Sequence, residues 1–410
     1  MKKIIGTILI GLVIFSLAGC KKGKNDGMVK EIKKPVIISL PEKTERLCDL
    51  TQKYGFKFGV CINYPQASNT GYLKLISDDY NTITATNEFK AYSLAKQYPS
   101  IENKKLTMDY TQADAIAKKA QELGIGIRGH ALVWDAYMPD WYFREGFNNG
   151  ADFVDAKTMK ERLRYYITEV ITHFETNFPG VVYCWDVVNE AVADSPNDAF
   201  EGNEFLCRKT RDGKPNLFAQ VLGQDYVKLA FQYAREAVNK VNPDIKLYYN
   251  DYNTFQPAKR DNIIKMVQYL NKKDWLCDGV GMQGYIGGFG TQGGCMNPND
   301  INLIRAAILK YGELDVEVQL TEVAVRNYKD DDETMERHAK FYGELFNMLK
   351  QINTPESSPF KAITVWGVCD KPGMSKTSYD YKMNGPFCGL YGEYGNIKQS
   401  YAEVYNVLKN

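Results

Sequence analysis

Short apolar, β-branched stretches recur along this chain, and most are followed by a longer segment whose apolar positions repeat with helical spacing. The first kind reads as buried strands and the second as amphipathic helices. Strands are predicted near 57–62, 82–86, 126–130, 183–189, 246–250, 279–283, 317–321 and 362–367, and helices over 111–122, 158–177, 224–239, 258–270, 299–310, 333–350 and 400–408. Such alternation argues for one parallel α/β domain over 43–410. An eight-stranded (β/α)8 TIM barrel is the economical closure, since every strand end then points to one face. A doubly wound open sheet is the alternative, but it collects its ligand at one switch point rather than at many strand ends. No internal repeat and no second domain is visible.

The strand ends carry the candidate chemistry. Trp185-Asp186-Val187-Val188-Asn189-Glu190 is an aromatic and β-branched run that stops on an amide and a carboxylic acid. Taken alone, Glu190 reads first as a capping acid at a strand-to-loop junction. A second strand, Val316-Glu317-Val318-Gln319-Leu320-Thr321-Glu322, ends the same way. Two acids at two strand tips suit glycosidic bond cleavage, in which one carboxyl gives a proton to the leaving oxygen and the other attacks or stabilises an oxocarbenium-like centre. A negative Glu322 close by is expected to keep Glu190 protonated.

Composition removes competing classes. The three histidines, His130, His173 and His338, lie far apart with no metal-ligand spacing, no GxSxG elbow or Walker lysine loop is present, and no GxGxxG opens a helix after a strand, so neither metal nor cofactor is expected. A net charge of +1 without a basic block in the main domain makes nucleic acid a poor partner. Aromatic residues make up 13% of the chain, which suits stacking on sugar faces and equally an ordinary core.

At the N-terminus, Lys2 and Lys3 precede the apolar run 4–17 and then Ala18-Gly19-Cys20, the layout of a secretory signal over 1–19 with a lipobox-like cysteine. Cys20 is the expected lipidation site and 20–42 a polar linker, giving an exported protein anchored to a membrane, periplasmic or on the cell surface. Eight further cysteines permit disulfides in such a compartment. Cys61, Cys184 and Cys369, within or beside strands, read as buried thiols, and Cys207, Cys277, Cys295 and Cys388, in or near loops, as bridge candidates.

Read in order, the strand-end motifs Asn87-Glu88-Phe89-Lys90, Arg128 to Trp134, Trp185 to Glu190, Tyr249 to Asn253, Gly281-Met282-Gln283, Thr321-Glu322 and Trp366-Gly367-Val368 resemble glycoside hydrolase family 10 from about residue 43 onward. The family consists mainly of retaining endo-β-1,4-xylanases on a β/α barrel. The resemblance implies that Glu190 is the acid/base and Glu322 the nucleophile. It also implies that Asn87, Lys90, His130 and Trp134 line sugar subsites, that Asn189 bonds the 2-hydroxyl of the sugar being cleaved, and that Gln283 and Trp366 are its polar floor and aromatic wall. The expected partner is xylan or a related β-glycan, bound by a monomer.

Departures from the pattern concentrate around Glu322. Tyr285 stands where the family has histidine, and Ala324 where it has an aspartate that orients the nucleophile with that histidine. Tyr285 is therefore expected to serve as a neutral donor to Glu322. Thr86, Asp135 and Met374 replace an acid, a histidine and a tryptophan of the family, and the loops 193–216 and 287–298 are expected to reshape the leaving-group side. Action on another or decorated β-glycan, and a catalytically silent glycan-binding barrel, stay open as alternatives.

Overall fold

The computed structural model describes residues 42–96, 106–200, 204–210, 212–289 and 296–410. The signal, Cys20 and nearly all of the linker lie outside these residues. The eight predicted strands form as β1 Lys57–Ile62, β2 Thr82–Ala85, β3 Gly126–Val133, β4 Val182–Asn189, β5 Lys246–Asp251, β6 Gly279–Met282, β7 Glu317–Val325 and β8 Phe360–Val365. Each pairs in parallel with the next, and β8 pairs back onto β1 through Lys57 opposite Ala362. The sheet therefore closes into a (β/α)8 barrel, and the open-sheet alternative falls away. A short strand at Tyr285–Ile286 adds to β7 beyond β6, setting Tyr285 opposite Ala324.

The longer helices, of ten residues or more, are α1 Thr70–Asp79, α2 Thr111–Leu123, α3 Ala156–Asn177, α4 Tyr226–Val241, α5 Pro257–Leu270, α6 Pro298–Gly312, α7 Asp332–Leu349 and α8 Gln399–Lys409. Helix α1 was not anticipated from the hydrophobic pattern, because it buries only Ile76 and Asp79. Its signal is local: the Asn69 side chain caps it by accepting from the Gly71 and Tyr72 N–H groups.

Close packing explains two glycines of the barrel. Gly129 on β3 faces Trp185 on β4, and a Cβ there would fall 2.3 Å from the indole, which is fully buried. Gly281 on β6 faces Asn250 on β5, and a Cβ would fall 2.4 Å from the Asn250 amide oxygen and 2.6 Å from Arg128. Trp185 packs against Phe174 of α3, on the helix side of the sheet, whereas the Asn250 amide lies among the strand-end side chains, and neither tolerates a larger neighbour.

Seven cysteines among the described residues are free and buried. For Cys207, Cys277 and Cys388 this corrects the expectation of bridges. Burial pushes the first two thiols up to about 12 and the third to about 11, so they behave as small apolar groups. Cys295 lies outside the described residues. His173 bonds Asp114 at 2.7 Å and stacks on Tyr110, and His338 bonds the Val325 carbonyl at 3.1 Å, so both are packed structural groups. Among the described residues, no helix is long and apolar enough to cross a membrane, and no group of three or more His, Cys, Asp or Glu side chains could hold a metal ion.

Candidate active site

Strand β4 ends by turning Glu190 into the left-handed region, at φ 59°. A residue with a Cβ pays for that conformation. The turn is held by the Glu190 N–H donating to the Asn250 carbonyl at 2.9 Å. Alternation stops there, and the carboxyl joins the tips of β5, β6 and β7 instead of returning to the barrel interior.

A chain of side-chain amides links the two acids. Gln283 Nε2 donates to Glu190 Oε1 at 3.0 Å and to Asn189 Oδ1 at 3.3 Å. Asn250 Nδ2 donates to the same Asn189 oxygen at 2.9 Å and to Glu322 Oε1 at 3.1 Å. Thr321 Oγ1 donates to Asn250 Oδ1 at 2.6 Å, which fixes that amide's orientation. With its oxygen doubly occupied, Asn189 is left with a buried Nδ2 that has no partner among the described residues. A buried amide donor without a partner is costly and suits a ligand that supplies the acceptor.

Around Glu322 the second oxygen accepts from the Tyr285 hydroxyl at 2.6 Å. That is the neutral donor expected from the sequence. The tyrosine stays protonated, because burial and the adjacent Glu322 charge both push its pKa well above the ordinary value. Ala324 opposite it is small and apolar, so no orphaned acid remains where the family has aspartate. His130 brings Nε2 within 3.9 Å of Glu322 Oε1, while its Nδ1 is 2.9 Å from Asp186. Asp186 is in turn salt-bridged to the buried Arg128. The ring is therefore braced from beneath, an arrangement closer to the nucleophile candidate than a peripheral subsite.

Lys90 is 6% exposed, donates to Asn87 Oδ1 at 3.1 Å, and sits 4.9 Å from the Trp134 ring centroid and 4.4 Å from that of Tyr137. Burial pulls its pKa down, and the charges of Glu322 and Glu190 oppose that. The His130 ring lies 5.8 Å from Trp134 and 6.3 Å from Trp366. All ten predicted cleft residues thus converge in one network of contacts.

Glu190 keeps 18% of its side chain exposed, enough for a ligand to reach it from the cleft. Its pKa is pushed up to about 7, chiefly by desolvation, with Arg208 and the Gln283 hydrogen bond opposing and Asp251 and Glu322 adding. The predicted direction holds, but the main cause is burial rather than the partner carboxylate. Arg208 was not anticipated. The loop after β4 returns through Cys207 and places Arg208 3.8 Å from Glu190, 3.0 Å from the buried Asp251 and over the Tyr252 ring. Lys259 also bonds Asp251, at 2.8 Å. Nothing in the local sequence marks Arg208, because its partners lie on other strands. Asn250 had a signal: an amide at the tip of an apolar strand.

Residues 46–407 match the family model described as Glycosyl hydrolase family 10. The chain belongs to this family. It is 36% identical over 339 residues to endo-1,4-beta-xylanase A of Thermotoga maritima, an alignment covering 80% of this chain and 28% of that protein. The chain thus spans under a third of that relative's length. It is 29% identical to an endo-1,4-beta-xylanase of Geobacillus stearothermophilus over 86% of this chain and 96% of that one. Among solved structures, a mutant intracellular xylanase from Thermoanaerobacterium saccharolyticum in complex with xylotetraose superposes with a TM-score of 0.71 at 27% identity, covering 89% of this chain and all of that one.

Proposed function

We propose that this chain is a retaining, endo-acting hydrolase of β-1,4-xylosidic bonds in xylan. Glu322 attacks the anomeric carbon as Glu190 gives its proton to the departing oxygen, leaving a glycosyl ester on Glu322. Water then enters, Glu190 takes its proton, and attack at the same carbon frees Glu322 with net retention. The observation that carries this reading is the pair of acids joined by the amides of Gln283, Asn189 and Asn250, with burial pushing the Glu190 pKa up to about 7. Glu322 accepts from Tyr285 and Asn250, as an ionised carboxylate does. The unpartnered Asn189 Nδ2 suits the 2-hydroxyl of the sugar being cleaved, a contact that gains strength in the transition state. The Thermotoga and Geobacillus relatives are endo-1,4-beta-xylanases, which agrees with xylan as substrate.

Purified protein incubated with a panel of β-linked polysaccharides is expected to release oligosaccharides from xylan. Cleavage of another glycan alone would replace the substrate but keep the mechanism, and binding without cleavage would sink the enzymatic reading. Tyr285 is the chain's own support for Glu322. Tyr285→Phe removes a hydrogen bond to a charged group worth about 1.5–3 kcal/mol, so kcat should fall about 10- to 100-fold. An unchanged kcat on xylan, with the variant still folded, would refute that role.

The same proposal extends to location: a monomer tethered through a lipid on Cys20, supported by the charged, apolar and small-residue sequence that precedes it. Palmitate labelling that is unaffected by Cys20→Ser would exclude this anchor.

A further inference from the structure

Beyond Glu322, strand β7 continues along one wall of the cleft. Glu322, Ala324 and Arg326 follow at intervals of two, which sets them on one face of an extended chain. The pairing that places Tyr285 opposite Ala324 runs on, with the Arg326 N–H donating to the Ile286 carbonyl at 3.0 Å. Arg326 is 6% exposed. Its Nε donates to the Met383 carbonyl at 2.5 Å and its Nη1 to the Gly287 carbonyl. The guanidinium lies 5.6 Å from the Tyr285 ring centroid and 5.9 Å from that of Phe289.

What Arg326 lacks is a counter-charge. Among the described residues no carboxylate is within ion-pair distance of it, and its Nη2 donates to none of them. The other buried arginine of the barrel, Arg128, is salt-bridged to Asp186. Two backbone carbonyls can be served by a neutral amide side chain, whereas an unpaired buried cation carries a large desolvation cost. Burial accordingly pulls the Arg326 pKa below the ordinary arginine value. An anion arriving with the ligand would restore the balance.

The surroundings suit a sugar. Phe289 and Tyr379 expose 54% and 61% of their surfaces, and their rings lie 6.3 Å apart. Phe289 is linked to the catalytic acids through Arg326, whose guanidinium lies over the ring of Tyr285, the donor to Glu322. These rings therefore stand at the catalytic cleft rather than on a remote surface.

We infer that Arg326, Phe289 and Tyr379 form a subsite for a carboxylate-bearing sugar, a uronic acid side group carried by the glycan chain. The sugar face packs on the exposed rings, and its carboxylate accepts from the free amino group of Arg326. This inference rests on the glycan-cleaving reading above and adds the charge of the substrate to it.

The test compares initial rates on glucuronoxylan with rates on the same polymer after its uronic acid carboxyls have been reduced to alcohols. The wild-type kcat/KM is expected to be about 10- to 100-fold higher on the acidic polymer, as one charge-assisted contact provides. Arg326→Met is expected to bring that ratio to about one through KM, and Arg326→Lys to keep part of it, since the charge remains. Equal wild-type rates on the two polymers overturn the subsite while leaving the xylanase reading intact. Cleavage of neither polymer overturns both, and the wild-type comparison stands whether or not a variant folds.

Discussion

Glu322→Ala is expected to lower kcat on xylan by on the order of 10⁴-fold or more, because it deletes the attacking atom and with it the covalent path. The methyl group that remains leaves a cavity lined by the Tyr285 hydroxyl and the Asn250 amide, both of which donate to Glu322 in the wild type. A small anion such as azide fits there, on the face of the sugar opposite the leaving group. With an activated aryl xylobioside and azide, this variant should form the α-glycosyl azide in a single displacement. A β-azide product, or residual xylan cleavage near the wild-type rate, would remove Glu322 from the nucleophile's role.

Glu190→Ala is expected to cost about 10²–10⁴-fold on xylan, the usual worth of a positioned acid/base. Its signature differs from that of Glu322→Ala. Formation of the glycosyl ester from a dinitrophenyl glycoside needs no proton on the departing oxygen, so that step should be nearly spared and only breakdown of the ester slowed. Azide entering from the leaving-group side then traps the ester as the β-glycosyl azide. The pH dependence supplies a second check. Glu190 is protonated below its pKa of about 7 and ionised above it, so wild-type kcat/KM should hold at lower pH and fall as pH rises through about 7. Glu190→Gln should abolish that alkaline limb, and a limb that persists unchanged belongs to another group.

Much of this site was legible because chemistry and secondary structure coincide at strand tips. A β-branched run ending in Asn189-Glu190 and another ending in Thr321-Glu322 marked both acids, and alternation with helices predicted the barrel that gathers strand ends on one face. The substitution of Tyr285 for histidine together with Ala324 for aspartate was equally visible, since a lost pair leaves neither member orphaned. Helix α1 was not legible, because its apolar stripe is too thin to show as periodicity. Bridges at Cys207, Cys277 and Cys388 were suggested by loop positions, yet all three are buried thiols, which depends on what packs around each residue.

The sequence by itself determined the order of the eight strands, the two candidate acids and the departures around Glu322, because each is written in residues close together along the chain. Only the tertiary structure decided what raises the pKa of Glu190. Arg208 reaches Glu190 from a loop, Asp251 and Asn250 come from another strand, and desolvation at the cleft floor outweighs the charge of Glu322. It alone showed Arg326 buried beside Phe289 with no carboxylate among the described residues in ion-pair reach. Burial and the pairing of charges are sums over neighbours brought together by barrel closure, and no local pattern encodes them.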